Sequence, residues 1–342
     1  MVQPLKQSAQ RMQNNNDRRP DLETPGSWIF SRDVLAWLAD RSLVDQLPWL
    51  YRLFAQYCRL FFRLSRTDRI PNGSQLFQRL IAVARRLGLP RSVALTVLDY
   101  KVYLNLQDPR FFQVVNELRS DQADTQVLPK LLQAGDALFD VGANHGSFSL
   151  VAGEILGTTG KIFAVEAQPF LAGLVVQSLQ ATVPCEFLVH SGAVGDRQGE
   201  IEFLIPLDSS GSAGLFPEHS ATHKFETIKV QLQRFDDLLN PADYRPNGVM
   251  KLDIEGSEYN FFQGAKQTIQ ALTPKIILEI NPSTLAASGV SGAGFKALLA
   301  ELGYHHYAEL SDLAKVKALD RLETESQRNI VVFHNAHVLN QA

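Results

Sequence analysis

Two groups of residues in this chain have the types and the spacing to do chemistry. The first runs from Asp140 to Glu166: an acid, then Gly142 and Gly146 in the segment DVGANHG, then a second acid twenty residues after Gly146. Glycine lets a backbone turn through conformations closed to other residues and lets a ligand approach the main chain. An apolar run before the turn, a helical pattern after it and a second apolar run ending at Glu166 make a strand, turn, helix, strand unit of nucleoside-binding type. Dinucleotide-binding turns read GxGxxG because a pyrophosphate sits against three glycines. Here the third glycine is missing, and Asp140 stands where it would repel a pyrophosphate and attract an ammonium. That combination points to S-adenosylmethionine (SAM), whose amino-acid end carries an ammonium and whose ribose offers two hydroxyls to Glu166. The alternative is an ordinary glycine turn in an α/β domain.

The second group is VMKLDIEGSE, Val249 to Glu258, an apolar strand interrupted by charge. Side chains alternate along a strand, so Lys251, Asp253 and Glu255 are expected on one face and Met250, Leu252 and Ile254 on the other. Charges in a central parallel strand are costly unless they are used. The next apolar run, KIILEIN, again carries an acid near its end, Glu279. Both acids therefore converge on the edge where Gly142 and Glu166 place the nucleoside. The competing reading is a structural ion pair of Lys251 with Asp253 or Glu279.

Positioning these residues requires a sheet. Apolar runs predict strands at about 137–141, 161–166, 186–191, 249–254, 275–281, 303–309 and 329–334, with helices at about 146–156, 169–181, 257–272 and 291–302. In the helix after Ile254, Gly256 allows a turn, Ser257 can cap and Pro274 follows the end. Seven strands with helices between most of them imply a doubly wound α/β sheet whose ligand lies beyond the carboxyl ends of its strands. From Trp28 to about Arg119 apolar residues recur at three and four, which predicts a helical N-terminal domain. The expected division is a disordered tail over 1–26, an all-helical domain over 27–120 and the sheet domain over 121–342. A chain beginning near Asp121 is then expected to keep the nucleoside and to lose transfer to its acceptor.

The 342 residues, 45% hydrophobic and 20% charged, are those of a soluble globular protein. Cys58 and Cys185 stand in no CxxC or Cys/His ligand spacing, so no disulfide framework and no metal site is expected, and a cytoplasmic location fits. The first residues hold no apolar core of a secretory signal. Residues 1–120 carry 18 Lys and Arg against 10 Asp and Glu, whereas residues 121–342 carry 15 against 26. An acidic second half argues against binding nucleic acid, whose phosphates need neutralising. In the basic first half, Arg52, Arg59, Arg63 and Arg66 lie near one side of a helix and Leu53, Phe54, Leu60, Phe61 and Leu64 near the other. Such a helix can lie on an anionic membrane, but packing against neighbouring helices is favoured.

DVGANHGSFS, VEAQP, SGAVGDRQGEIEF, SSGSAGL, RFDDLL, KLDIEGSEYNFFQGA and LEI arrive in the order and spacing of the FkbM family. Over about residues 108–282 the chain resembles these class I SAM-dependent methyltransferases, whose members methylate hydroxyl oxygens of sugars and secondary metabolites. The resemblance implies a seven-stranded class I methyltransferase sheet. It makes Asp140, Gly142, Asn144 and Gly146 the SAM loop and Glu166 the ribose acid. Ser191 to Val194, Ser191 and Ala193 among them, become the adenine edge, with no Asp for the adenine amino group. Asp253 and Glu255 match the family's acidic pair; Ala167-Gln168 departs from the more usual Pro-Asn. Transfer to a hydroxyl of a small molecule needs a base, for which the expected order is Asp253, then Glu255, then His145, and Asp253 also borders the cofactor. An NAD-dependent oxidoreductase and a non-catalytic SAM-fold binding module are the other readings.

Overall fold

The computed structural model describes residues 28–30, 92–105, 108, 110, 113–114, 117–118, 124–206, 213–214 and 225–334. In chain order its strands are β1 (Trp28–Phe30), β2 (Ser92–Val97), β3 (Tyr100–Asn105), β4 (Ala137–Val141), β5 (Lys161–Glu166), β6 (Glu186–Ser191), β7 (Ala193–Val194), β8 (Gly199–Pro206), β9 (Phe225–Gln233), β10 (Val249–Leu252), β11 (Lys275–Ile280), β12 (His306–Glu309), β13 (Asp312–Ala318) and β14 (Arg328–Phe333). The helices are α1 (Leu128–Leu131), α2 (Ser147–Leu156), α3 (Pro169–Thr182), α4 (Glu258–Gly264), α5 (Lys266–Leu272), α6 (Pro282–Ala287) and α7 (Gly292–Glu301). The tail over 1–26 and the Arg52 to Arg66 stripe lie outside the described residues.

All seven strands expected from the sequence are found in one nine-stranded sheet of order β1-β6-β5-β4-β10-β11-β14-β12-β13. The run from β6 to β11 is parallel, while β1 and β14 pair antiparallel to β6 and β11. Buried strands split their side chains between two layers because successive residues point to opposite faces. On β4, Leu138 joins a core with Leu150 of α2 and Val175 of α3, whereas Phe139 joins one with Phe261 of α4 and Ile269 of α5. From β4 the chain moves outward through β5 and β6, then returns to β10 on the other side of β4. The order reverses between β4 and β10, the switch point beside which a ligand site is expected.

Three expectations are corrected. First, residues 92–105, read as part of a helical region, form the β2–β3 hairpin. It lies along α3, where the Tyr103 amide donates to Ser178 Oγ at 2.8 Å, the Lys101 amide donates to Thr182 Oγ1 at 3.0 Å, and Tyr100 Oη donates to Glu154 of α2 at 2.7 Å. Leu95, Val97, Val102 and Leu104 share one core with α2 and α3, so a boundary at residue 120 does not separate the hairpin from the sheet. Second, the single helix expected over 257–272 is broken at Ala265 into α4 and α5, because Asp236 accepts from the amides of Gln267 and Thr268 and so caps a new helix start. Third, Ser257 makes no cap; Glu258 instead folds back to accept from the Ile254 and Gly256 amides.

Candidate active site

The glycine turn closes the carboxyl end of β4. The amides of Gly142 and Ala143 both donate to Val165 O of β5 at 2.9 Å, which bends the chain sharply over the sheet edge. Gly142 and Gly146 sit at φ 81° and 80° in the left-handed region, and Asn144 joins them at φ 51°. A Cβ built on Gly142 would lie 1.9 Å from the carbonyl oxygen of Asp253, so only glycine lets the loop after β10 approach this closely. The Asp253 amide completes the junction by donating to Val141 O at 3.1 Å.

Glu166 ends β5 beneath this turn and is 4% exposed. Its Oε2 accepts from the Asn144 amide and its Oε1 from the Gln168 amide, both at 2.8 Å, so the turn itself fixes the carboxylate. Burial, only partly offset by these two donors, pushes its pKa up to about 7. Asp140 is placed differently from the sequence expectation. Its side chain is fully buried and accepts from Ser149 Oγ of α2 at 2.6 Å, and it does not line the cavity where an ammonium could reach it.

Lys251 joins the two halves of the site. Its ammonium donates to Gly142 O at 2.7 Å and lies 3.2 Å from Asp253 Oδ2 and 3.9 Å from Asp140 Oδ1. Burial works to strip its proton, yet the carboxylates of Asp253 and Asp140 together raise its pKa. The ion pair weighed in the sequence is therefore present, with Asp253 and not Glu279 as partner. Because β10 ends at Leu252, the strand alternation expected to carry Glu255 onto the Lys251 face stops before it. Glu255 sits instead at φ 51°, in a turn. Burial, then Asp253, Glu279 and Glu258, push its pKa up to about 8.

Two cavities meet at these acids. The first is lined by Gly142, Asn144, Glu166, Ala193 and Val194, beside Phe203, Ala213 and Ser257. The second is a polar hollow walled by Glu117, Asp124, Lys251, Glu279 and Asn329. Arg110, Asp253 and Glu255 line both. Ser191 is buried in β6 and does not line either cavity, whereas Gly192 and Ala193 after it do. His145 is 1% exposed and outside both linings. Its Nε2 accepts from the Asn105 amide at 3.4 Å and its Nδ1 lies 2.5 Å from Asn144 Oδ1, an arrangement that fixes the turn. Burial pushes its pKa down to about 4, and it serves packing in place of the catalytic role considered above.

Sequence reasoning missed Arg110 and Ser257. The Ser257 hydroxyl is buried without a hydrogen-bond partner among the described residues and borders the first cavity. A buried polar atom left unpaired costs stability, so such an atom is accounted for when a ligand completes it. Only the presence of a Ser beside the KxDxEG acids could have drawn attention to it. Among the described residues no group of His, Cys, Asp and Glu is arranged to hold a metal ion, and no helix is long and apolar enough to cross a membrane.

A doubly wound sheet with a glycine turn and a buried acid at its switch point is the arrangement of the class I methyltransferase fold. Residues 140–306 match the model of the methyltransferase FkbM domain. Among solved structures it is similar to a methyltransferase FkbM from Methylobacillus flagellatus KT (12% identity, TM-score 0.36), with 66% of this chain and 54% of that one covered. It thus spans about half the length of that protein. A SAM-dependent O-methyltransferase from Thermotoga maritima is similar at 13% identity and TM-score 0.34, covering 64% of this chain and 70% of that one. A precorrin-6y C5,15-methyltransferase from Geobacter metallireducens GS-15 is similar at 16% identity and TM-score 0.34, covering 63% and 90%. No curated protein matches the chain.

Proposed function

We propose that the chain binds S-adenosylmethionine in the first cavity and transfers its methyl group to a hydroxyl oxygen of a small polar molecule held in the second. The observation that carries this reading is the sharing of Arg110, Asp253 and Glu255 by the two cavities, so that donor and acceptor meet at a pair of carboxylates. The residues present fit the cofactor. Gly142 leaves the main chain bare, Glu166 would take the ribose hydroxyls, Ala193 would border the base, and Ser257, whose hydroxyl has no partner among the described residues, lines the same cavity.

When bound, the cofactor supplies an activated methyl group and a positive charge at its sulfur. The chain must then align the acceptor and remove its proton. Glu255 is the proposed proton acceptor. Its pKa near 8 gives it affinity for a proton, and a cation brought beside it favours its ionised form. Asp253, held by Lys251, is proposed to orient the acceptor hydroxyl. This reverses the order expected from the sequence. The five carboxylates of the second cavity, set against Arg110 and Lys251, favour an uncharged polyol or sugar over a phosphorylated acceptor.

The test has two stages. SAM and its demethylated product, each at a hundred times its dissociation constant, should stabilise the fold by about 2.7 kcal/mol, read as a rise in melting temperature. NAD should leave the melt unchanged; the opposite pattern ends the methyltransferase reading for this cavity. Methyl-labelled SAM with a small-molecule extract should then label an ether, and persistent failure to label any product would favour a binding module.

A further inference from the structure

The donor's amino-acid end carries a carboxylate as well as an ammonium, and the glycine turn offers the carboxylate no cation. Lys251 does not line the first cavity, and its ammonium is engaged by Gly142 O, Asp253 and Asp140. Among the described residues Arg110 is the only basic side chain lining that cavity. It is anchored at one end of it: Arg110 Nη2 lies 3.3 Å from Glu117 Oε1, and Glu117 Oε2 accepts from Ser147 Oγ at 2.5 Å. Ser147 follows Gly146, so this chain of contacts ties the guanidinium to the glycine turn. The Nε of Arg110 is buried and has no hydrogen-bond partner among the described residues. A guanidinium offers a flat fork of N–H groups that fits a carboxylate, and an unfilled buried N–H is the half of that fork left for a ligand.

The geometry points to Arg110 as the residue that binds the α-carboxylate of the methyl donor. This rests on the reading that the first cavity holds SAM. Because Arg110 also borders the second cavity, the rival role is a contact to the acceptor, and the two roles predict different ligand dependence.

The experiment is calorimetric binding of SAM and of decarboxylated SAM, which differ only at the carboxylate, to the full chain and to Arg110→Ala. The unaltered protein should prefer SAM, and Arg110→Ala should weaken SAM at least about tenfold while leaving decarboxylated SAM within about twofold, so that the preference collapses. Equal binding of the two ligands by the unaltered protein overturns the assignment whatever the variants do. So does a variant that loses affinity for both equally or for neither. Melting of the ligand-free protein checks folding; if Arg110→Ala does not fold, Arg110→Gln, which removes the charge and keeps a polar side chain, gives the same comparison. Failure of the unaltered protein to bind either ligand would count against the SAM reading itself, a separate outcome from loss of the preference.

Discussion

Glu255 and Asp253 stand two residues apart and meet different surroundings. Asp253 faces the Lys251 ammonium at 3.2 Å, while Glu255 is surrounded by burial and by the carboxylates of Asp253, Glu279 and Glu258. A base is useful only when ionised, so methyl transfer should rise with pH through about 8 and level off above it. Glu255→Gln should abolish that rise and lower turnover by about 10²–10⁴ with SAM affinity retained. Asp253→Asn is expected to keep the pH profile and to act mainly on the Michaelis constant for the acceptor. If Asp253→Asn instead removes the rise, the two roles are exchanged. The same shifts bear on stability. Burial first of all raises Glu166 and Glu258 to about 7 and Glu255 to about 8, so the native state keeps protons that the unfolded chain releases above its ordinary carboxyl value near 4.5. Stability therefore falls as pH rises. Below about 6.5 the buried His145 and His190, lowered to about 4, oppose this trend, because there the unfolded chain binds the extra protons. The decline should show cleanly as a falling melting temperature between about pH 6.5 and 8.

The glycine turn and the loop after β10 act as one element. Gly142 accepts from Lys251, Asp253 donates to Val141, and no side chain fits between them. Gly142→Ala meets two obstacles, a left-handed backbone that costs a residue with a Cβ about 1–3 kcal/mol and a carbonyl oxygen that must move. The expected outcome is a lowered melting temperature together with loss of SAM binding by calorimetry; normal affinity in a folded variant would show that the loop can open without disturbing the cavity. This turn was legible in the sequence because its signal is local: two glycines at fixed offsets after a buried run. The seven strands were legible for the same reason. The break between α4 and α5 was not, since the cap comes from Asp236, about thirty residues earlier in the chain. The hairpin carries no such signal, because SVALTV and YKVYLN lie within a stretch whose apolar spacing is helical. Arg110 carries no local mark at all; its meaning lies in Glu117, Ser147 and the two cavities that folding brings around it.

At the scale of the molecule, the β2–β3 hairpin is packed into the same core as the sheet. Leu95, Val97, Val102 and Leu104 are buried in the core formed with α2 and α3. Each such side chain contributes about 1.5–3 kcal/mol on burial, so the four together compare with the whole net stability of a domain, about 5–15 kcal/mol. A chain beginning at Asp121 should therefore fail to fold cooperatively and fail to bind SAM, contrary to the expectation drawn from sequence. A sharp thermal transition with retained SAM binding would restore the boundary at residue 120.

The close seating of Gly142 against Asp253 also bears on how such a protein could change its substrate over evolutionary time. The floor of the first cavity and the first of the two acids are joined through main-chain atoms, so a mutation on either side disturbs both at once. Gln113, Asp124 and Asn329 wall the second cavity without belonging to that joint. If the two cavities hold donor and acceptor as proposed, variation at these three positions would change the acceptor while donor use stays untouched, and a directed-evolution library confined to them would sample new acceptors without first having to repair the old chemistry.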